Sequence, residues 1–195
     1  MPSTPKPTVV ARTASVVDTR ALAAEVAALI GPGDVVVLGG DLGAGKTAFT
    51  QGLGAALGVT EQIVSPTFTI ERVYEGRLTL HHLDVYRLDN LHEALDLGLD
   101  EALDDGEVAV VEWGEAVSGV LGRDYLLARL ALGAGDDDRT VTFEAHGPRW
   151  AARVEALRAA AQPWAVETLV DVQLDGHGSA TPDELLVVDE DEDES

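Results

Sequence analysis

The run Gly40-Asp41-Leu42-Gly43-Ala44-Gly45-Lys46-Thr47 fits the pattern G-x-x-x-x-G-K-[ST] at every fixed position. Glycine lacks a Cβ, so it adopts positive φ and lets the backbone approach an anion closely. Successive N–H groups in such a turn point inward and form an anion nest. A helix beginning there adds its positive end to the same site. Lys46 supplies a point charge that can reach β- and γ-phosphates, and the Thr47 hydroxyl suits one place in the octahedral oxygen shell of Mg²⁺. These residues predict binding and turnover of ATP with Mg²⁺. Leu42, Gly43, Ala44, Gly45, Lys46 and Thr47 contact the nucleotide in this reading, and Lys46 also serves catalysis.

Such a site needs a further acid to hold or orient the cation and its waters. Val108-Ala109-Val110-Val111 reads as a buried strand ending in Glu112. An apolar strand followed by an acid puts a carboxylate at the carboxyl edge of a sheet, where open α/β folds bind ligands. Glu112 is therefore predicted to act at Mg²⁺ together with Thr47. Asp84 ends another strand-like segment, Leu80-His81-His82-Leu83-Asp84, and can orient an attacking water or a Mg²⁺-bound water. His82 is a hydrogen-bonding candidate beside it. The adjacent histidines with Asp84 also fit a transition-metal site, although no further ligands follow at suitable spacing. Ser65 and Thr67, in Ser65-Pro66-Thr67-Phe68, could contact γ-phosphate or Mg²⁺ as a switch, or merely open a strand after a proline turn.

The elements needed to hold these groups are legible in the pattern. Thr8 to Arg12 suits an edge strand. Asp18 to Ile30 suits a helix, with Leu22, Val26 and Leu29 at helical spacing, Ser15 or Asp18 as its cap and Gly31-Pro32-Gly33 as its stop. Val35 to Leu38 is β-branched and apolar, as a strand of a parallel sheet covered on both faces should be. Thr47 to Leu57 continues as a helix to Gly58. Phe68–Tyr74 and Arg77–Tyr86 flank Glu75-Gly76 as a hairpin. Glu93 to Leu103 has a helical pattern interrupted at Gly98. Tyr125–Leu132 and Arg139–Ala145 form a strand pair around the Gly133–Asp138 turn. The expected architecture is α/β: a three-layer P-loop NTPase-like domain with a central, mainly parallel sheet and an antiparallel hairpin. Residues 1–7 are expected to be a flexible N-terminus. The domain is expected over residues 8–147, followed by an extension over 148–188 that carries an amphipathic helix from Trp150 to Ala161, and an acidic, disordered tail over 189–195.

Composition narrows the function. The chain has 195 residues, 46% of them hydrophobic, enough for a folded core. Its formal net charge is −22, and the last fourteen residues carry eight acidic groups and no basic ones. The remaining body is still acidic and shows no dense basic cluster, which argues against tight nucleic-acid binding by this chain alone. The absence of cysteine excludes disulfides, thiolate metal sites and cysteine nucleophiles. No apolar run approaches a membrane span, and the N-terminus lacks a signal-peptide core. A cytoplasmic protein is expected.

Taken together, the loop at Gly40–Thr47, then Ser65-Pro66-Thr67-Phe68, His82-Leu83-Asp84-Val85-Tyr86-Arg87 and Glu112-Trp113 resemble the TsaE (YjeE) family over about residues 8 to 147. The loop is shared by many families; the combination is more specific. The resemblance implies slow ATP hydrolysis in support of TsaB- and TsaD-type partners, which transfer a threonylcarbamoyl group to adenosine in tRNA. It implies Mg²⁺ at Thr47 and Glu112, a role in activity for Asp84, and positions near the nucleotide for Ser15 and Arg139. Ala48 stands where the family often has a second threonine, and the resemblance does not reach the extension after Gly147.

Two readings of other classes compete. A small-molecule kinase also uses this loop, but such enzymes usually bring mobile arginines to the transferred group, and this chain has no arginine-rich insertion. A nucleotide-responsive adaptor without turnover would not need Asp84 and Glu112. The chain has no N-K-x-D stretch for guanine.

Overall fold

The computed structural model describes residues 8–66, 69–85, 98–113 and 124–166. In chain order these form β1 (Thr8–Thr13), α1 (Val16–Ala27), β2 (Val35–Gly39), α2 (Lys46–Ala56), β3 (Glu71–Tyr74), β4 (Leu80–Asp84), α3 (Leu99–Asp104), β5 (Val108–Glu112), β6 (Tyr125–Leu132), β7 (Arg139–His146), α4 (Pro148–Ala151) and α5 (Val154–Ala161). The seven strands make one sheet in the order β1-β7-β6-β2-β5-β4-β3. The middle four, β6-β2-β5-β4, run parallel, whereas β1–β7, β6–β7 and β3–β4 pair antiparallel. The sheet is thus more mixed than the expected mainly parallel one. Parallel pairing is concentrated where helices cover both faces.

Alternation along the strands divides the core into two layers. Val36 and Leu38 of β2, Val108 and Val110 of β5, and Leu126 and Ala128 of β6 pack with Leu22 and Val26 of α1 and Phe49 and Leu53 of α2. On the other face, Val35, Val37, Ala109, Val111 and Leu127 pack with Leu99 and Leu103 of α3. Helix–sheet–helix layering follows from the near-continuous apolar runs in β2 and β5, every residue of which is buried. Ser15 caps α1, its Oγ accepting the Asp18 N–H at 3.0 Å. Helix α1 begins at Val16 and ends at Ala27, slightly ahead of the predicted span. A Cβ on Gly52 of α2 would lie 2.2 Å from Arg20 O, so this glycine permits the close approach of α1 and α2.

The C-terminal segment after Gly147 continues the same compact unit, which runs to Ala165. The predicted helix over Trp150–Ala161 is two helices, α4 and α5. Their Trp150, Val154, Leu157 and Ala161 join the layer built on α1. Asp34, 1% exposed at the entrance to β2, anchors this segment. It pairs with Arg153, with Arg149 at 3.2 Å, and accepts the Gly31 N–H at 2.8 Å. The domain end expected at residue 147 therefore falls inside packed structure. The sequence expectations for Thr67 and Phe68, Tyr86 and Arg87, residues 93–97, residues 1–7 and the tail at 189–195 lie outside the described residues.

Candidate active site

Strand β2 delivers the chain into the Gly40–Gly45 turn, and α2 leaves it from Lys46. Gly40 has φ 122, and a Cβ there would lie 2.1 Å from Leu130 O, so β6 passes where any other side chain would stand. Gly43 and Gly45 have φ 81 and 105. A Cβ on Gly43 would meet no protein atom within 4 Å, so the turn opens onto free space there. That space is a cleft of about 430 Å³ lined by Leu42, Gly43, Gly45, Lys46, Thr47, Ala48, Ser65, Asp84, Glu112 and Trp113.

Lys46 is only 5% exposed. A buried ammonium needs partners, and this one donates to Gly40 O at 2.7 Å and Asp41 O at 2.9 Å. Its Nζ also lies 3.6 Å from the centre of the Trp113 ring, a cation–π contact. Trp113 reaches that position because the backbone turns at φ 62 directly after β5. No local pattern of residues signals this contact; Trp113 stands out only through the Glu-Trp pair of the resemblance.

The two predicted acids meet at the same rim. Asp84 and Glu112 are the last residues of β4 and β5 and face each other in the parallel register. Both are 3% exposed. Thr47 Oγ1 donates to Glu112 Oε1 at 2.9 Å. A hydroxyl whose hydrogen is committed to a carboxylate has its oxygen lone pairs available to a cation. The hydroxyl and the two carboxylates are hard oxygen donors, the set that suits Mg²⁺ and not a soft metal. With the open glycine turn, these groups fit a Mg²⁺–triphosphate. Ser65 lines the cleft as well.

His81 and His82 do not share a site. Strand alternation sends them to opposite faces: His82 Nε2 lies 2.9 Å from Glu112 Oε1, whereas His81 sits between Glu71, at 2.7 Å, and Glu107. The hydrogen bond to Glu71 raises the His81 pKa above its ordinary value, opposed by burial and reinforced by Glu107. Among the described residues no group of three or more acidic or histidine ligands is arranged to hold a metal, which overturns the transition-metal reading.

Two expected nucleotide neighbours stand further back. Arg139 grips the outside of the loop, with Nε donating to Ala44 O at 3.0 Å and Nη2 to Gly43 O at 3.3 Å. Ser15 caps α1 and shares its hydroxyl hydrogen with Asp18 Oδ2 at 2.9 Å. Neither is among the residues that line the cleft.

A strand–glycine loop–helix unit with lysine and threonine at its mouth, faced by acids on the two neighbouring strand ends, defines a P-loop ATPase. The profile of the family "Threonylcarbamoyl adenosine biosynthesis protein TsaE" matches residues 13–141. The protein named tRNA threonylcarbamoyladenosine biosynthesis protein TsaE from Bacillus subtilis is 45% identical over 147 residues, covering 75% of this chain and 91% of that protein. The protein of the same name from Streptomyces coelicolor is 45% identical over 139 residues, covering 68% of this chain and 93% of its own length. The crystal structure of Bacillus subtilis YdiB superposes with a TM-score of 0.68 at 39% identity, covering 80% of this chain and 98% of that one. The chain belongs to the TsaE family.

Proposed function

We propose that this chain binds Mg·ATP between the Gly40–Thr47 loop and the ends of β4 and β5. There it hydrolyses ATP in support of threonylcarbamoyl transfer to tRNA adenosine, acting with TsaB- and TsaD-type partners. The observation that carries this reading is the 2.9 Å bond from Thr47 to Glu112, made beside Lys46 at the mouth of the loop.

Lys46 exchanges the carbonyls of Gly40 and Asp41 for β- and γ-phosphate oxygens, a charge-assisted and therefore stronger pairing. Thr47 offers its oxygen to Mg²⁺ while Glu112 holds its hydrogen. Asp84, on the same rung as Glu112, orients the attacking water. When bound, Mg²⁺ screens the phosphates and polarises the transferred group. Arg139 keeps the loop in shape through the Ala44 and Gly43 carbonyls. The acidity of the body supports leaving tRNA to the partners.

The test is calorimetric titration of the full chain with ATP in Mg²⁺, followed by ATPase assays with and without TsaB- and TsaD-type proteins. Saturable binding, weak turnover alone and faster turnover with partners are expected. Phosphorylation of a small acceptor without any partner would instead establish the kinase reading. Partner cycling that is identical with a non-hydrolysable analogue would establish the adaptor reading.

A further inference from the structure

His82 is fully buried, with 0% exposure. It precedes Asp84 by two residues on β4, so it projects to the same face of the sheet. Its Nε2 lies 2.9 Å from Glu112 Oε1, the same oxygen that accepts the Thr47 hydroxyl at 2.9 Å. An ionised carboxylate has no hydrogen to give, so both neighbours donate, and the His82 hydrogen sits on Nε2. Nδ1 is then an acceptor, and among the described residues it is a buried atom with no hydrogen-bond partner. Leaving a buried polar atom unsatisfied destabilises a fold, and an apolar side chain at this site would avoid that cost. What His82 provides in return is its one bond to Glu112. The Tyr74 ring lies beside the imidazole, tilted 37° with its centre 6.5 Å from that of His82. Tyr74 itself is tied by its hydroxyl, which accepts the Val64 N–H at 3.2 Å.

We propose that His82 is a positioning residue that acts through Glu112. By taking one lone pair of Oε1 it fixes the carboxylate so that the other accepts the Thr47 hydrogen, which turns the Thr47 oxygen toward the cation. The inference rests on the proposed Mg·ATP site. It confines the effect of His82 to the part of ATP affinity that Mg²⁺ adds, because His82 acts through Glu112 and Thr47, the pair proposed to serve the cation.

The experiment measures ATP affinity of the full chain by calorimetry in Mg²⁺ and in EDTA, with thermal melting of each nucleotide-free protein as a check on folding. His82→Leu is expected to lose about tenfold or more of the Mg²⁺-dependent gain, the usual effect of removing an outer-shell partner, with affinity in EDTA unchanged. His82→Gln can place an N–H where Nε2–H stands and should restore most of the gain. His82→Asn places its N–H at the Nδ1 position and should not, and this pair of polar variants decides the matter should His82→Leu fail to fold. Combined with Glu112→Ala, His82→Leu should produce no further loss. Equal losses in EDTA and Mg²⁺, or a full gain retained in His82→Asn, would overturn the role of His82. A wild-type chain without affinity for ATP would instead overturn the proposed function.

Discussion

Thr47, in the first turn of α2, and Glu112, the last residue of β5, are joined by a 2.9 Å hydrogen bond across 65 positions of sequence. Neither the loop nor the strand alone would create the proposed cation site; the bond between them would. Thr47→Ala and Glu112→Ala should each reduce Mg²⁺-dependent ATP hydrolysis by about 100-fold, the range seen when one preorganised polar group is removed from a reacting centre. Thr47→Ser should keep most of the rate. The double variant should be far less impaired than the product of the two single losses, because both delete the same contact. Steady-state hydrolysis of the four proteins checks this, and multiplicative losses would separate the two residues functionally.

Lys46 and Asp84 line one cleft but should fail differently. Lys46→Ala removes the cation proposed to meet the β- and γ-phosphates, so ATP affinity itself should collapse in calorimetry. Asp84→Asn retains shape and hydrogen-bonding capacity and should leave affinity near that of the wild type. Its kcat should fall by about 100-fold, as expected for loss of a group that handles the proton of the attacking water. Parallel loss of affinity in Asp84→Asn would place that residue at the phosphates instead.

Much of this site was legible in the sequence because each part has a local signature. The glycine pattern requires positive φ, and Gly40 shows why, with β6 where its side chain would be. The β-branched runs at Val35–Leu38 and Val108–Val111 mark strands covered on both faces, and an acid after such a run has to emerge at the rim. The illegible parts depend on distant or bulk features. Asp34 gives no hint that its partners are Arg149 and Arg153, the latter 119 positions away. The stripe of Trp150, Val154 and Leu157 shows that a helix face is covered, but not that α1 and β1 cover it. Arg139 reads equally well as a phosphate ligand or as a brace on the loop, since a guanidinium serves carbonyls as readily as phosphates.

The buried Asp34 carboxylate ties the segment after Gly147 to the start of β2 through Arg149 and Arg153. Arg153→Ala should destabilise the chain by about 2–3 kcal/mol, below the full effect of breaking a buried pair because Arg149 remains and Arg153 is partly exposed. Ending the chain at Gly147 also strips Trp150, Val154 and Leu157 from the core and should prevent stable folding. Ending it after Val166 keeps these contacts and should leave a folded protein. Denaturant melts of the three proteins check this. A stable chain ending at Gly147 would restore the shorter domain.

His81 makes stability depend on pH. Its pKa is raised by Glu71 first and then Glu107, so the folded state holds the proton more tightly than the unfolded state. The resulting stabilisation is fully present below the unfolded value of about 6.5. It disappears as pH rises through the higher folded value. Melting midpoints should therefore fall over that window, and His81→Gln should flatten this part of the profile. An unchanged profile in His81→Gln would assign the dependence to other groups.

Asp84 and Glu112 occupy one rung of the ladder between β4 and β5. Their separation is consequently a backbone spacing, inherited from strand pairing and insensitive to the length of the connections on either side. Insertions in those connections can vary without retuning the acids, whereas a slip of one residue would turn Leu83 to the cleft and bury Asp84 among the apolar side chains below α3. Selection on this chain should tolerate lengthened connections and reject single-residue deletions inside either strand.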